Sequence, residues 1–133
     1  MILAGDIGGT STRLAIFEVR DSHMVAVAEK TYPSREYNGL EYMATAFATE
    51  KKLSIKHACF GIAGPVANGR VVTPNLPWVV ESTVLAKQLG LHSTTLINDL
   101  EANAYGVAAL EPSELVSLNP GAPDAQGNRA VIS

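Results

Sequence analysis

Two short stretches of this chain hold residue types that can do chemistry. The first is "GDIGGTST", residues 5–12, where an acid is followed by two glycines and three hydroxyls. Gly8 and Gly9 let the backbone come close to a ligand and turn successive N–H groups inward, and Thr10 and Ser11 add hydroxyl donors. That is a concave anion site suited to phosphate, although the stretch is neither a GxGxxG nor a Walker loop. Asp6 cannot bind a phosphate directly. It becomes useful if Mg²⁺ lies between them, because that ion keeps several waters and takes only one or two carboxylates. The plainer reading is an Asx-type turn in which Asp6 bonds its own loop.

The second stretch is "LINDLEANAYG", where Asn98 and Asp99 fall at the end of an expected strand and the start of an expected helix. Ligands bind at that edge of α/β sheets. A carboxylate at a helix N-terminus stays ionised and can accept a proton from an attacking hydroxyl. Asp and Asn are also ordinary N-caps, and the two roles are compatible. A third segment, "VVTPNLPWVV", puts Asn75 and Trp78 in a loop, where the Trp serves either a sugar's apolar face or, as the stronger expectation, the edge of the core.

These residues need a scaffold. Residues 2 to 5 and 12 to 19 read as strands around the glycine turn, and "HMVAVAEKTY" reads as a third, giving a three-strand antiparallel start. Leu40, Met43, Ala44, Phe47 and Ala48 recur at helical spacing, and Lys51 and Lys52 suit the C-terminal end of that helix. The run from His57 to Ala63 is apolar on both faces, as a central strand is, and Gly64 with Pro65 ends it. "VANGRVV" reads as a small hairpin turning at Asn68-Gly69. A helix near Ser82 to Leu89, a strand at "TTLIN" and a helix from Leu100 to Leu110 follow. The last carries Leu100, Ala104, Val107 and Ala108 on one face. "NPGAPDAQGN" reads as a loop, and "RAVIS" as the start of another strand. The whole is α/β: three antiparallel strands, then parallel βα units joined by right-handed crossovers.

Composition narrows the class. The 133 residues are 47% hydrophobic and 17% charged, which points to one globular domain with a real core. Ten Lys and Arg against thirteen Asp and Glu give a net charge of -3. No basic track with interleaved aromatics is present, so nucleic acid is not expected as a partner. The apolar runs are far shorter than the ~20 residues of a membrane span, and the N-terminus has no basic leader, so neither membrane nor export is expected and the cytoplasm is the default. The single Cys59 reads as a structural thiol, and the three scattered histidines lack metal-ligand spacing.

Taken together, "LAGDIGGTSTRLAIF", "FGIAGPVANGRV", "TPNLPW" and "LINDLEANAYG" resemble the N-terminal domain of bacterial glucokinases, in the sugar kinase, heat-shock ATPase and actin superfamily. The resemblance implies a ribonuclease H-like, actin-like ATPase fold with helices on both faces of a mixed sheet. It implies that Gly8, Gly9 and Thr10 contact ATP phosphates, that Asp6 organises Mg²⁺ through water, and that Asp99 is the general base toward the 6-hydroxyl of glucose. Asn98 would hold sugar hydroxyls, with Gly64 and Asn75 near the sugar. The product would be glucose 6-phosphate, at the head of glycolysis. Family members continue into a second phosphate loop and further sugar-site residues, so residues 1–133 are expected to be an incomplete N-terminal domain, lacking the C-terminal domain and inactive alone. Two rivals stand beside this reading: a kinase for another hexose or hexosamine, and a short non-catalytic module that binds sugar or phosphate, or assembles, for example as a homodimer.

Overall fold

The structure, a computed structural model, describes residues 1–21, 23–122, 124, 126–127 and 130–132. Its centre is a five-stranded mixed sheet. The strands are β1 (Ile2–Ile7), β2 (Ser11–Arg20), β3 (His23–Pro33), β4 (His57–Ile62) and β7 (Ser93–Asn98), in the order β3-β2-β1-β4-β7. β1 pairs antiparallel with β2, and β2 with β3, while β4 runs parallel to both β1 and β7. Two short strands, β5 (Arg70–Val72) and β6 (Val79–Glu81), form a separate antiparallel ribbon.

Strand alternation decides which face is the core. Leu3 and Ile7 of β1, Leu14 and Ile16 of β2, Phe60 and Ile62 of β4 and Leu96 of β7 are buried together, because successive side chains of a strand point to opposite faces. On that face lie the helices α1 (Leu40–Lys51) and α2 (Ser82–Leu89), which bury Leu40, Met43, Ala44 and Phe47, and Leu85. The spacing of the four α1 residues forms one stripe, and the helix ends on a left-handed Lys52 whose N–H bonds to the Ala48 carbonyl. α2 ends in the same way on Gly90. The third helix, α3 (Asp99–Val107), packs on the opposite sheet face. An added Cβ on Gly61 of β4 would lie 2.9 Å from the Ala102 Cβ of α3. Glycine at 61 is therefore what lets this helix sit flush on the sheet.

Several expectations are corrected. Asn68-Gly69 does turn the chain, with φ of 51° and 70°, and Ala67 and Arg70 exchange backbone bonds across it. The ladder that follows, however, joins Arg70–Val72 to residues 79–81, not to the valine before the turn. α3 ends at Val107 rather than Leu110. Its expected core stripe is not buried: Leu100 is 47% exposed and Val107 46%. "RAVIS" carries no strand at 130–132, and Arg129 and Ser133 lie outside the described residues. Trp78 is a core residue as expected: it is buried, and its Nε1 donates to the Tyr37 carbonyl at 3.1 Å. Among the described residues, no helix is long and apolar enough to cross a membrane.

Candidate functional site

The three parallel strands end together. Ile7 is in register with Ile62, and Ile62 with Asn98. The glycine turn after β1, Ala63-Gly64 after β4 and Asp99 after β7 therefore leave the same edge of the sheet. With strands ~4.8 Å apart, the ends of β1 and β7 are about 10 Å from each other.

At the first of these ends the turn is tightly closed. Gly8 N–H donates to the Ser11 carbonyl at 3.0 Å, and Ser34 N–H donates to the Thr10 carbonyl at 3.0 Å. Gly9 lies against the side chain of Asn75, and a Cβ at position 9 would stand 2.8 Å from the Asn75 Cβ. Asp6 is exposed, and among the described residues no group donates a hydrogen bond to its carboxylate, so the Asx-type turn is not formed. Its cross-strand neighbour Arg13 is drawn instead to Glu29, at 2.7 Å. A lone unengaged carboxylate beside an anion-shaped turn fits a hard cation that keeps most of its own water. No cluster of three or more His, Cys, Asp or Glu occurs among the described residues.

The second end is held by an asparagine. Asn98 caps α3: its Oδ1 accepts from Leu100 N–H at 3.0 Å, and its Nδ2 donates to the Gly64 carbonyl at 3.0 Å. One side chain thus fixes both the helix start and the loop after β4. Gly64 has φ 115°, a backbone that side chains other than hydrogen rarely adopt. Asp99, the first residue of α3, is half-buried, and its Oδ1 shares the Leu100 N–H at 3.0 Å. Among the described residues no hydrogen bond engages its other carboxylate oxygen. Asp6 is in register with Gly61, and Gly61 faces α3, so Asp6 and the start of α3 lie on the same side of the sheet.

The loop carrying Asn75 is braced from inside. Buried Thr73 donates its hydroxyl toward the carbonyls of Leu76, at 2.8 Å, and Trp78, at 3.2 Å, and its N–H bonds to Trp78 O at 3.1 Å. Asn75 itself is exposed. Cys59 is half-buried, and burial, with a smaller contribution from Glu101, pushes its thiol pKa up. A thiol held protonated is a poor nucleophile, which agrees with a structural role.

The structure thus brings Gly9 against Asn75, and bonds Gly64 to Asn98, the residue before Asp99. Among the described residues no side-chain hydrogen bond ties Asp6 or Thr10 to either group. Sequence reasoning missed Gly61, Thr12, Ser34 and Thr73. A glycine inside an apolar strand signals a close approach and could have flagged Gly61. The three hydroxyls carry no such signal.

The mixed sheet with helices on both faces is shared with solved sugar kinases of the actin-like ATPase fold. A glucokinase from an Antarctic psychrotroph superposes with a TM-score of 0.81 at 28% identity, over 92% of this chain and 39% of that one. A ROK family glucokinase from Streptomyces griseus, solved with glucose and AMPPNP, shares the fold at a TM-score of 0.60 and 20% identity, over 79% of this chain and 35% of that one. The family model for glucokinase matches residues 3–133, and the chain belongs to the glucokinase family. Glucokinases of Nostoc sp. (strain PCC 7120) and Synechocystis sp. (strain PCC 6803) are 34% and 35% identical to it, over 99% and 98% of this chain. The chain spans about two fifths of the length of these curated relatives, 40% of each.

Proposed function

We propose that the full-length protein carrying this chain transfers the γ-phosphoryl group of ATP to the 6-hydroxyl of glucose, and that residues 1–133 form its N-terminal domain, with the ribonuclease H-like strand arrangement. The observation that carries this reading is the common edge where the glycine turn and Asp99 emerge from β1 and β7, the parallel strands on either side of β4, in a member of the glucokinase family.

The chemistry follows from charge. Phosphoryl transfer asks for alignment and for stabilisation of charge on the transferred oxygens more than for covalent help. The backbone at Gly8 and Gly9 and the hydroxyl of Thr10 would take the phosphates. Asp6 would hold Mg²⁺ through water; when bound, that ion offsets the negative charge of the phosphate oxygens. Asp99 would accept the proton of the glucose 6-hydroxyl as its oxygen bonds to the γ-phosphorus and the bond from phosphorus to ADP breaks. The amide of Asn98 keeps one N–H and one lone pair beyond its two structural bonds, enough to meet a sugar hydroxyl. Asn75 and the Gly64 backbone would complete this side of the sugar site. The cytoplasm, where ATP and free hexoses meet, is the proposed location.

The test is a panel of hexoses and hexosamines given to the full-length protein with MgATP. Glucose should show the highest kcat/KM. A preference for another sugar would keep the mechanism and change the substrate, and no turnover with any of them would favour a binding or assembly module. Residues 1–133 alone are expected to give no measurable turnover.

A further inference from the structure

Ser34 and Thr12 lie behind the glycine turn. Both are 0% exposed. The Ser34 hydroxyl is 2.8 Å from the Gly8 carbonyl oxygen and 2.9 Å from the Thr12 hydroxyl. A carbonyl can only accept, so the single hydroxyl proton of Ser34 goes to Gly8. The Ser34 oxygen then has only lone pairs to offer Thr12, and Thr12 must be the donor. The result is a directed chain from Thr12 O–H to Ser34 O–H to the Gly8 carbonyl.

Ser34 also holds the far side of the turn, where its N–H bonds to the Thr10 carbonyl at 3.0 Å. One residue of the short helical turn after β3 thus fixes the carbonyls of both Gly8 and Thr10. No peptide bond among the described residues is cis. In a planar trans peptide the N–H opposes the carbonyl, so the N–H groups of Gly9 and Ser11 point away from Ser34. Two N–H groups presented on one side of a turn make an anion-binding concavity. Glycines cannot hold that orientation by themselves, because they lose more conformational freedom on ordering than any other residue.

We propose that Thr12 and Ser34 are positioning residues for the nucleotide: a buried hydroxyl relay that locks the Gly8 and Thr10 carbonyls inward and so keeps the Gly9 and Ser11 N–H groups aimed at phosphate. This rests on the kinase reading above. Neither side chain touches substrate in it; both act through the peptide planes of the turn.

The test is steady-state kinetics and AMPPNP affinity of full-length variants. Ser34→Ala frees the Gly8 carbonyl and should weaken kcat/KM for MgATP about tenfold, with KM for glucose unchanged. Thr12→Val, which keeps the side-chain shape, should move the same constant in the same direction by less. Thr12→Ser keeps the hydroxyl and should behave as wild type. The double variant Thr12→Val with Ser34→Ala should be no worse than Ser34→Ala alone, because Thr12 acts only through Ser34. Additive losses, equal losses toward glucose and ATP, or wild-type nucleotide constants in folded Thr12→Val would overturn the relay. If wild type binds AMPPNP yet phosphorylates no hexose or hexosamine, the kinase reading falls. The relay is then judged on AMPPNP Kd, where the same ranking of variants supports it and a flat series refutes it. A wild-type protein with no affinity for AMPPNP overturns both.

Discussion

The glycine turn and the start of α3 leave the same sheet edge but are built differently. The turn is clamped on several sides: Ser34 from behind, Asn75 against Gly9, and the paired strands β1 and β2 at its two ends. α3 packs on β4 and β7, with Ala102 close against Gly61, and is tied through Asn98 to Gly64; none of its residues is fully buried. Its apolar side chains stand in the open, Tyr105 at 68% exposure. The proposed phosphate side is held from several directions within these residues, whereas the proposed base side rests on α3, which packs on β4 and β7 and buries none of its residues fully.

Breaking each side should therefore give unequal results. The largest effect is expected at the proposed base: Asp99→Asn in the full-length protein should lower kcat by roughly 10²–10⁴ with glucose still bound, read by turnover and by calorimetry. Next comes the seat of α3. Gly61→Ala puts a methyl 2.9 Å from Ala102, which must lift the helix and Asp99 with it. A shift of that kind should cost about 10²-fold in kcat, with the nucleotide KM little changed. The core beneath both regions sets the scale for stability: Phe60 of β4, fully buried with its ring against Gly5 of β1, should cost about 3–5 kcal/mol as Phe60→Ala in a denaturant titration.

The same contrast should be visible without mutation. Amide exchange of residues 1–133 should place β1, β4 and α1 near the global opening free energy and α3 well below it. Equal protection of α3 would remove the distinction between the two regions. The smallest effect lies on the surface. Glu50 sits between Lys30, at 2.7 Å, and Lys51, at 2.8 Å, and bonds to these two ammonium groups, Lys30 foremost, lower its pKa from 4.5 to about 2. Its folded pKa is depressed, so any stabilisation is present above pH 4.5 and fades as the pH falls toward 2. The pair is exposed and screened, and Glu50→Gln should shift Tm only slightly above pH 4.5, less in high salt, and not at all near pH 2.

What could be read from the sequence follows from the range of the forces involved. α1, α2 and the strands up to β4 are local patterns, with period 3.6 or 2, and fall within two residues of their expected bounds. The Asn68-Gly69 turn is local too, since it needs two positive φ values in succession. The pairing of Arg70–Val72 with residues 79–81 was not legible, because a proline-rich loop separates the strands and no nearby pattern records the register. The stripe on α3 misled for a related reason. Periodicity shows that one face is apolar, but not whether anything covers it. Thr12 and Ser34 are 22 residues apart and look like ordinary strand and turn hydroxyls; only the folded chain makes them neighbours. For the site, the candidate residues were legible as residue types, while their supports were not.

The most direct test is amide chemical-shift mapping of the isotope-labelled full-length protein, first with MgAMPPNP and then with glucose. AMPPNP is expected to move the resonances of Gly8, Gly9, Thr10 and Ser11. Glucose is expected to move those of Gly64, Asn75, Asn98 and Asp99. Saturation of both ligands with the Gly8–Ser11 amides unmoved by AMPPNP would contradict the assignment of the glycine turn as the phosphate side of the site.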